Sequence, residues 1–373
     1  MSRRVFARSM NGEMSSTWRG GGSEANTMGV NIATFGATGV LGTHIHHLCC
    51  YHGFTSILPF RFRAGMASGV RHLRMAGDGT VGQNFDTDYE IDKEFVVKSI
   101  LEKVDNVINV VGAWQEPTIY ENSQSWFSME AINVEWPRML ARWCREMGIL
   151  RLTHMSMVGA DLNSPSKVLR QKRAAEIAVL EEFPTATIIR GTDIFAENDF
   201  SYSRYLMAQR KYKIVPMPNK GERIHQPVFA GDLAEAACRS ILLDHTEGRI
   251  AELGGPVRFK TSDFLRWCSE CNGVLNLTWN MPKWMWRIGC TLNERLPFHQ
   301  GALLGTKPPA WNKDWLERQF IDNCATPERD PDLLDWEDFG IPREDLYRLE
   351  EKYFITSAMW SQDSPYFDHG HRM

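Results

Sequence analysis

The sequence predicts a doubly wound α/β fold, in which helices cover both faces of a parallel β-sheet. Short runs of β-forming residues alternate with segments of helical length from residue 29 to about residue 190. Such alternation requires crossover connections, and crossovers join parallel strands. One of these runs, NVINVVG, is rich in apolar residues, as expected of a strand buried on both faces. The remaining residues predict a smaller, mainly helical C-terminal lobe.

The predicted elements follow one another regularly along the chain. VNIATF is the first strand, and the glycine-rich turn GATGVLG leads into a helix that ends at Gly53. TSILPFRF and VGQNFD are the second and third strands, and a helix from Ile91 to Val104 precedes the fourth strand, NVINVVG. A helix from Met129 to Met147, the strand ILRLTHMS, a helix that contains SKVLRQK and the strand TATIIR complete the series.

Composition excludes several classes of protein. The 373 residues carry a formal net charge of -4, and no basic stripe interleaved with aromatic residues suggests a nucleic-acid partner. Eight cysteines without a framework predict a reducing compartment. The longest apolar runs fall short of the roughly 18 residues that a membrane-spanning helix needs, so we expect a soluble body.

The first 28 residues differ from the rest of the chain. They contain several arginines and serines, few acids and a glycine run, which favours a mitochondrial presequence, although a disordered arm has a similar composition. We therefore divide the chain into an arm (1–28), a dinucleotide-binding domain (29–255) and a partner-contacting lobe with a tail (256–373).

The turn GATGVLG has the order and spacing that a dinucleotide site requires. Gly36 permits the tight turn, Gly39 lets the backbone approach a pyrophosphate, and Gly42 lets the helix lie close to the strand. The amides at the start of the helix face the phosphate charge. The spacing GxxGxxG is typical of extended and atypical short-chain dehydrogenases.

The end of the second strand predicts which dinucleotide is bound. An NAD site usually places an acid there, whereas this chain has Arg61 and Arg63, whose guanidinium groups can hold a 2′-phosphate. The residues therefore favour NADPH, with a solvated basic turn as the alternative. Asp86 follows the third strand, where the adenine amino group is read, and Gly112 follows the fourth, where the backbone approaches the ribose.

The stretch SKVLRQK resembles the active-site helix of a nicotinamide-dependent reductase that has lost its acid. Such enzymes place a tyrosine four residues before a lysine, and here Lys172 is preceded at that distance by Val168. Valine cannot protonate the alkoxide that hydride transfer creates. Ser156 occupies the place of the hydroxyl that orients a substrate carbonyl, and a substitute acid could come from Tyr120, Tyr202 or Tyr205.

These motifs together resemble a known family. GATGVLG, LPFRF, NVINVVG, HMS, SKVLRQK, GTDIF, HQPVFAGDL and the late WEDFGIPREDL are similar to the NADPH-holding accessory subunits of mitochondrial respiratory complex I, which have an atypical short-chain dehydrogenase fold. The similarity runs from about Asn31 to about Tyr353 and is patchy within the C-terminal third.

The resemblance implies roles for individual residues. Arg61 would bind the 2′-phosphate, Lys172 the nicotinamide ribose, and the turn from Gly191 to Ile194 would pass beside the nicotinamide. The family usually has the tyrosine that Val168 replaces, so no catalytic residue is assigned. The implied phosphate cradle comprises Gly36, Thr38, Gly39, Val40 and Leu41.

The resemblance also implies a place in the cell. We expect a non-catalytic accessory subunit on the matrix side of the mitochondrial inner membrane, bound to other complex I subunits. The alternative is an active NADP-dependent reductase or epimerase in the mitochondrial matrix.

The C-terminal third contains candidate contact surfaces. WNMPKWMWRIG places Trp279, Trp284 and Trp286 beside Lys283 and Arg287, a mixture suited to the inner-membrane surface or to another protein, with core packing as the alternative. The acidic stretch that contains DWEDFGIPRED is expected to be a solvated or partner-facing helical tail.

Two further clusters are expected to be structural. Cys268 and Cys271 lie within a helical pattern and lack the turn of a redox motif. His44, His46 and His47 lack partners at ligand spacing, so a helix surface is predicted and no metal site.

Overall fold

The computed structural model describes residues 29–60, 73, 80–84, 92–114, 128–196, 214–272, 277–295, 312–326 and 332–344. The N-terminal arm therefore lies outside the described residues, as do Arg61, Arg63 and Asp86 and the candidate acids Tyr120, Tyr202 and Tyr205.

The strands and helices alternate through most of the chain. The strands are β1 (Asn31–Phe35), β2 (Thr55–Phe60), β3 (Thr80–Asn84), β4 (Asn106–Asn109), β5 (Arg151–Met157), β6 (Thr187–Gly191), β7 (Ile194–Phe195), β8 (Ile214–Met217), β9 (Ile224–His225), β10 (Val228–Phe229), β11 (Ile250–Leu253), β12 (Phe259–Lys260), β13 (Leu277–Asn280) and β14 (Leu333–Leu334). The helices are α1 (Val40–Tyr51), α2 (Asp92–Leu101), α3 (Trp136–Glu146), α4 (Lys167–Glu182), α5 (Ala230–Ser240), α6 (Thr261–Asn272), α7 (Lys283–Arg295), α8 (Lys313–Arg318) and α9 (Trp336–Phe339). A π-helical turn, Ala131–Glu135, leads directly into α3.

The main sheet confirms the predicted fold class. Its order is β3-β2-β1-β4-β5-β6-β11-β14, and every neighbouring pair is parallel. The chain builds outward from β1 to β3 and then returns to place β4 on the other side of β1. This reversal makes a crevice at the carboxyl ends of β1 and β4, which is where a doubly wound sheet binds its ligand.

Two apolar layers sandwich the sheet. On one face, α1 and α5 pack through buried residues such as Ile45 and Leu233. On the other face, α2, α3 and α4 contribute Ile100, Leu140 and Val179. Burial on both faces explains why the strands are apolar and why the pattern predicts a parallel sheet.

The described part of the C-terminal lobe is mainly helical and contains α6, α7 and α8. Its strands β13 and β12 pair with strands that precede residue 256, β13 with β8 in parallel and β12 with β9 in antiparallel. Trp286 and Cys290 of α7 pack on Leu316 of α8. Within the described residues, no helix combines the length and the apolar character needed to cross a membrane.

The expectation of a solvated helical tail is wrong for most of the described residues 332–344, of which Trp336–Phe339 are helical, while the partner-facing alternative stays a prediction. Leu334 lies in the edge strand β14 of the main sheet, and Trp336 and Phe339 are buried in the same core layer as α1 and α5. Asp335 begins the short helix α9 with a capping box, and Gly340 ends it in a left-handed conformation (φ 62°). The acids of this segment therefore cap a packed turn, while its apolar residues extend the core.

The histidines of α1 are only partly on a helix surface. His46 is fully buried, and its ring nitrogens contact the Ser56 hydroxyl at 3.1 Å and the Leu73 carbonyl at 2.7 Å. The surface prediction is therefore wrong for His46, because these two partners satisfy a buried imidazole. In the described part of the chain, no cluster of histidines, cysteines and acids could hold a metal ion, and Cys268 is a buried thiol of α6.

Candidate functional site

The carboxyl ends of four neighbouring strands bring several of the predicted site residues to one edge of the sheet. Gly36 follows β1, Gly112 follows β4 after a short extension, Ser156 lies near the end of β5, and Gly191 ends β6. Because adjacent strands are in parallel register, their ends lie side by side. The edge is thus continuous from the glycine turn to β6.

The close packing of the glycine turn leaves no room for a side chain at two of its positions. Gly36 has φ of +91°, and a Cβ there would approach the Val111 backbone nitrogen to 3.0 Å. At Gly42 a Cβ would lie 2.2 Å from the Gly36 carbonyl oxygen. Glycine is therefore required at Gly36 for backbone conformation and at Gly42 for the close approach of α1 to the turn.

The start of α1 presents backbone amides without a competing acid. Gly39 is the N-cap residue in an extended conformation, it provides no side-chain cap, and the first turn contains no acidic residue. Thr38 and Gly39 are exposed, whereas Leu41 is buried and Val40 is half-buried. The first amides of a helix have no intrahelical acceptor and favour an anion, so Val40 and Leu41 can contribute through their backbone.

Lys172 lies behind the turn that follows β4. Its ammonium group is buried and donates to the Met155 carbonyl at 3.2 Å. Burial lowers the pKa of Lys172 to about 8, which the nearby Glu176 carboxylate partly opposes. A Cβ at Gly112 would lie 3.3 Å from the Lys172 nitrogen, so glycine keeps the space in front of this ammonium group open.

Asn133, which sequence reasoning missed, holds the Gly112 turn in place. Its amide side chain accepts from the Ala113 backbone nitrogen at 2.8 Å and donates to the Ala113 carbonyl at 3.0 Å. It also donates to Gln171 at 3.0 Å, and Gln171 is the neighbour of Lys172. The sequence signal was a polar residue between the apolar Ile132 and Val134.

Ser156 belongs to a buried charge network that the sequence did not predict. Its hydroxyl donates to a Glu176 oxygen at 2.5 Å, and Glu176 is fully buried. Arg190 binds Glu176 through two hydrogen bonds, of 2.7 and 2.9 Å, and Glu252 through one of 2.9 Å. The hydroxyl that was expected to orient a substrate carbonyl is thus engaged inside the fold. An arginine ending the strand TATIIR was the available signal.

Val168 is fully buried one turn before Lys172. The start of α4, to which it belongs, is capped by two side chains. Ser166 accepts from the Leu169 backbone nitrogen, and Asp314 of α8 accepts from the Ser166 hydroxyl at 3.0 Å and from the Val168 backbone nitrogen at 3.3 Å. Sequence reasoning missed Asp314, because a contact across 146 residues leaves no local pattern.

The turn after β6 is closely packed. A Cβ at Gly191 would lie 2.7 Å from a Leu233 methyl group, and Ile194 packs half-buried against the core. Asp193 forms an ion pair with Arg223 at 3.0 Å and a hydrogen bond with Nδ1 of His225 at 3.1 Å. Burial alone would raise the pKa of Asp193, but Arg223 and His225 lower it below its usual range. Asp193 therefore acts as a structural anion.

Comparison with curated proteins identifies relatives over most of the chain. NADH dehydrogenase (ubiquinone) 1 alpha subcomplex subunit 9, mitochondrial, of Arabidopsis thaliana is 33% identical over 247 residues, which is 66% of this chain and 58% of that protein. The subunit of the same name from Mus musculus is 26% identical over 326 residues, which is 86% of this chain and 79% of that protein. The chain is a homologue of alpha subcomplex subunit 9. No protein-family model matches it.

A third relative extends the same comparison to a fungus. The NADH-ubiquinone oxidoreductase 40 kDa subunit, mitochondrial, of Neurospora crassa is 26% identical over 336 residues, which is 90% of this chain and 81% of that protein. The homology to alpha subcomplex subunit 9 thus spans both the main sheet and the C-terminal lobe. The chain spans less than two thirds of the Arabidopsis protein.

Solved structures share the fold of this alpha subcomplex subunit 9 homologue. UDP-glucuronic acid 4-epimerase from Bacillus cereus, in complex with UDP-glucuronic acid and NAD, covers 89% of this chain and 100% of its own, with a TM-score of 0.60 and 11% identity. UDP-N-acetylglucosamine 4-epimerase from Methanobrevibacter ruminantium also covers 89% of this chain and 98% of its own, with a TM-score of 0.60 and 12% identity. The fold is thus that of the Rossmann-type, NAD-binding epimerases.

Proposed function

We propose that this chain is a non-catalytic accessory subunit of mitochondrial complex I that holds NADPH as a structural cofactor. The homology to alpha subcomplex subunit 9 supports the assignment to complex I. One observation carries the rest. Lys172 and the glycine turn are in place, whereas a buried valine stands where a reductase needs its acid. The site therefore retains the parts that bind a dinucleotide and has lost the part that would use it.

The described residues fit a dinucleotide along the sheet edge. The amides of Val40 and Leu41 would hold the pyrophosphate, with Gly36, Thr38 and Gly39 shaping the turn around it, since the Gly39 amide donates to the Gly36 carbonyl at 3.1 Å. At the other end, the Lys172 ammonium would donate to the nicotinamide ribose across the space that Gly112 leaves open. Gly191 and Ile194 would border the nicotinamide, and Ser156 would support this end of the site through Glu176.

Bound NADPH would supply a hydride, but a carbonyl reduction also needs a proton at the reacting oxygen. Val168 has none to give. The chain would then gain stability from the nucleotide without turning it over, since a ligand that binds only the folded state stabilises it by about 3 kcal/mol at a hundredfold excess over its dissociation constant.

The choice of NADPH over NADH rests on the residues after β2. We expect Arg61→Ala to reduce retention of NADPH at least about tenfold and to leave NADH retention unchanged, because a guanidinium group binds the 2′-phosphate that only NADPH carries. Nucleotide released from the purified protein and measured by chromatography gives the ratio. Arg63→Ala is the neighbouring comparison. An unchanged ratio in both variants would reject the phosphate role, and Asp86 would then be the only proposed contact at the adenosine end.

An active NADP-dependent reductase or epimerase is the alternative, which the intact Lys172 and the epimerase fold favour. Purification of the native protein from mitochondrial membranes separates the two proposals. An accessory subunit is expected to migrate with complex I and to keep its NADPH unchanged in the presence of carbonyl substrates. Free migration with steady turnover would establish the enzyme instead.

The exposed face of α7 is the best candidate for contact with the inner-membrane surface. Trp284, Ile288 and Leu292 are spaced by four residues and therefore share one face of the helix. Their exposed fractions are 63%, 53% and 51%, whereas Trp286 on the opposite face is buried. Packing in the lobe core thus accounts for the apolar side chain of Trp286 and does not account for those of Trp284, Ile288 and Leu292. Apolar side chains in a row beside Lys283 and Arg287 suit the headgroup layer of a bilayer on the matrix side.

Substitution of this face tests the membrane contact. Trp284→Glu together with Ile288→Glu is expected to abolish most binding to anionic liposomes, because burying two carboxylates in the acyl boundary is unfavourable. Sedimentation with vesicles measures binding. Phe95→Glu is the matched control, since Phe95 is 75% exposed on α2. Equal loss of binding in both proteins would show that the effect is non-specific charge repulsion.

A further inference from the structure

The segment from residue 312 to residue 326 lies across the carboxyl edge of β5 and β6. Its backbone and side chains bond to the turns there at many points. Asn323 accepts from the Asp193 backbone nitrogen at 2.6 Å and, through its carbonyl, from the Gln226 backbone nitrogen at 3.1 Å. Arg223 donates to the Ile321 carbonyl at 3.0 Å. In an α/β sheet this edge faces the ligand crevice.

The N-terminal half of the segment is held on α4. Asp314 places one carboxylate oxygen 2.5 Å from the Lys167 backbone nitrogen, in addition to its bonds with Ser166 and Val168. A carboxylate at the start of a helix accepts from orphan amides and interacts favourably with the helix dipole. These bonds fix α8 over the first turn of α4.

Arg318 extends this cover toward β4. Its Nε lies 3.3 Å from the Asp314 carboxylate, and its guanidinium carbon lies 5.2 Å from the centroid of the Trp114 ring, just beyond Gly112. The Asp193 carboxylate also attracts it electrostatically. A single side chain thus spans from the turn after β4 to the turn after β6.

Little space remains beneath the segment. The cavity between it and the sheet edge has a volume of about 10 Å³ and is lined on the sheet side by Met157 and Val158, with Leu169 from α4. Arg318 and Asn323 are among the residues that line it from the segment. This volume is about that of one water molecule, so this cavity, as the described residues line it, has no room for a carbonyl substrate or a sugar.

We propose that residues 312–326 are an internal plug that occupies the substrate side of the nucleotide site. The inference deepens the proposed function, because a plugged site holds a dinucleotide and admits no second reactant. Glu317 links the same plug to α7 through ion pairs with Lys283 at 2.7 Å and Arg287 at 3.0 Å. The plug therefore also connects the nucleotide-binding sheet to α7, whose other face is exposed.

The reaction rate of a cysteine introduced beneath the plug measures how often the plug opens. Val158→Cys is a nearly isosteric change, and we expect its thiol to react slowly with N-ethylmaleimide because the plug covers it. Adding Asp314→Ala is expected to accelerate the reaction about tenfold or more, since the hydrogen bonds that the Asp314 carboxylate accepts from α4 are lost. Peptide mass spectrometry distinguishes maleimide addition at position 158 from reaction at the native cysteines. Asn323→Ala, which loosens the other end, is expected to accelerate the reaction too and provides a second variant if the first does not fold.

Glu317→Gln is the matched control, because it weakens the ion pairs between α8 and α7 and leaves the bonds to α4 intact. It should label no faster than Val158→Cys alone. Reaction of the single variant at the rate of an exposed cysteine would overturn the plug. NADPH content and migration with complex I, measured on the same samples, report on the proposed function separately, since a failed plug with retained NADPH leaves that function standing.

Discussion

Replacing Arg190 with methionine is expected to lower the free energy of unfolding by about 3–5 kcal/mol. Arg190 is the only described cation that bridges Glu176 and Glu252, with bonds of 2.7 to 2.9 Å to the two carboxylates. Glu176 is fully buried and also accepts from Ser156. Removal of the guanidinium group leaves the buried Glu176 with Arg173 and Ser156, and it leaves Glu252 with hydrogen bonds from Thr326 in place of an ion pair. Chemical denaturation of the nucleotide-free protein at neutral pH measures the loss.

A surface ion pair provides the control. Arg142→Met removes a partner of Glu182 at 3.2 Å where the arginine side chain is half exposed, and the expected cost is under about 1 kcal/mol. The double variant Arg190→Met with Glu176→Leu should recover at least half of the lost unfolding free energy. A buried apolar side chain of similar size is tolerated there, whereas a buried carboxylate without its partner is not. Equal costs for Arg142→Met and Arg190→Met would mean that the buried network contributes no more than a surface pair.

Two glycine substitutions in the turn after β1 are expected to separate folding from nucleotide binding. Gly42→Ala places a Cβ 2.2 Å from the Gly36 carbonyl oxygen, so the turn or α1 must move, at a cost of about 1–3 kcal/mol in stability. Gly39→Ala places its Cβ 3.4 Å from the same oxygen, which is an ordinary contact. It should leave the fold unchanged and weaken NADPH binding by about ten- to a hundredfold, because the methyl group stands where phosphate approaches the amides.

Thermal unfolding with and without NADPH distinguishes the two effects. For Gly39→Ala we expect an unchanged Tm without nucleotide and a reduced shift on its addition. Gly289→Ala is a control, since a Cβ at Gly289 meets nothing within 4 Å. A normal NADPH-induced shift in Gly39→Ala would place the pyrophosphate elsewhere.

Local patterns were sufficient to predict the main sheet through β6. Each strand is a short run of β-formers, and in the turn after β1 the backbone conformation at Gly36 restricts the residue type to glycine. Gly42 illustrates this, since its spacing predicted the close approach of α1 that the 2.2 Å distance explains. Lys172 was assigned by the resemblance of SKVLRQK to the active-site helix of a reductase, and the structure places it on α4 one helical turn after Val168.

Long-range contacts could not be predicted in the same way. Asp314 caps a helix that begins about 150 residues earlier, and no property of NKDWLER reveals its target. The burial of His46 depends on Ser56 and on the Leu73 carbonyl, which lie 10 and 27 residues away along the chain. Leu333 and Leu334 were misread as helical, because a strand of two residues is too short to show the alternation of a β-strand.

The edge strand β14 has a consequence for how the chain must be assembled. Leu333 and Leu334 of β14 pair with β11 in the main sheet. The residues between these two strands are therefore anchored in the same sheet at both ends. A chain shortened before residue 333 would expose the backbone hydrogen-bonding groups of β11 at the edge of the sheet. Another molecule could then pair with this edge. β14 is also the last of the eight strands along the chain, so the sheet is complete only once the residues between β11 and β14 have been synthesised.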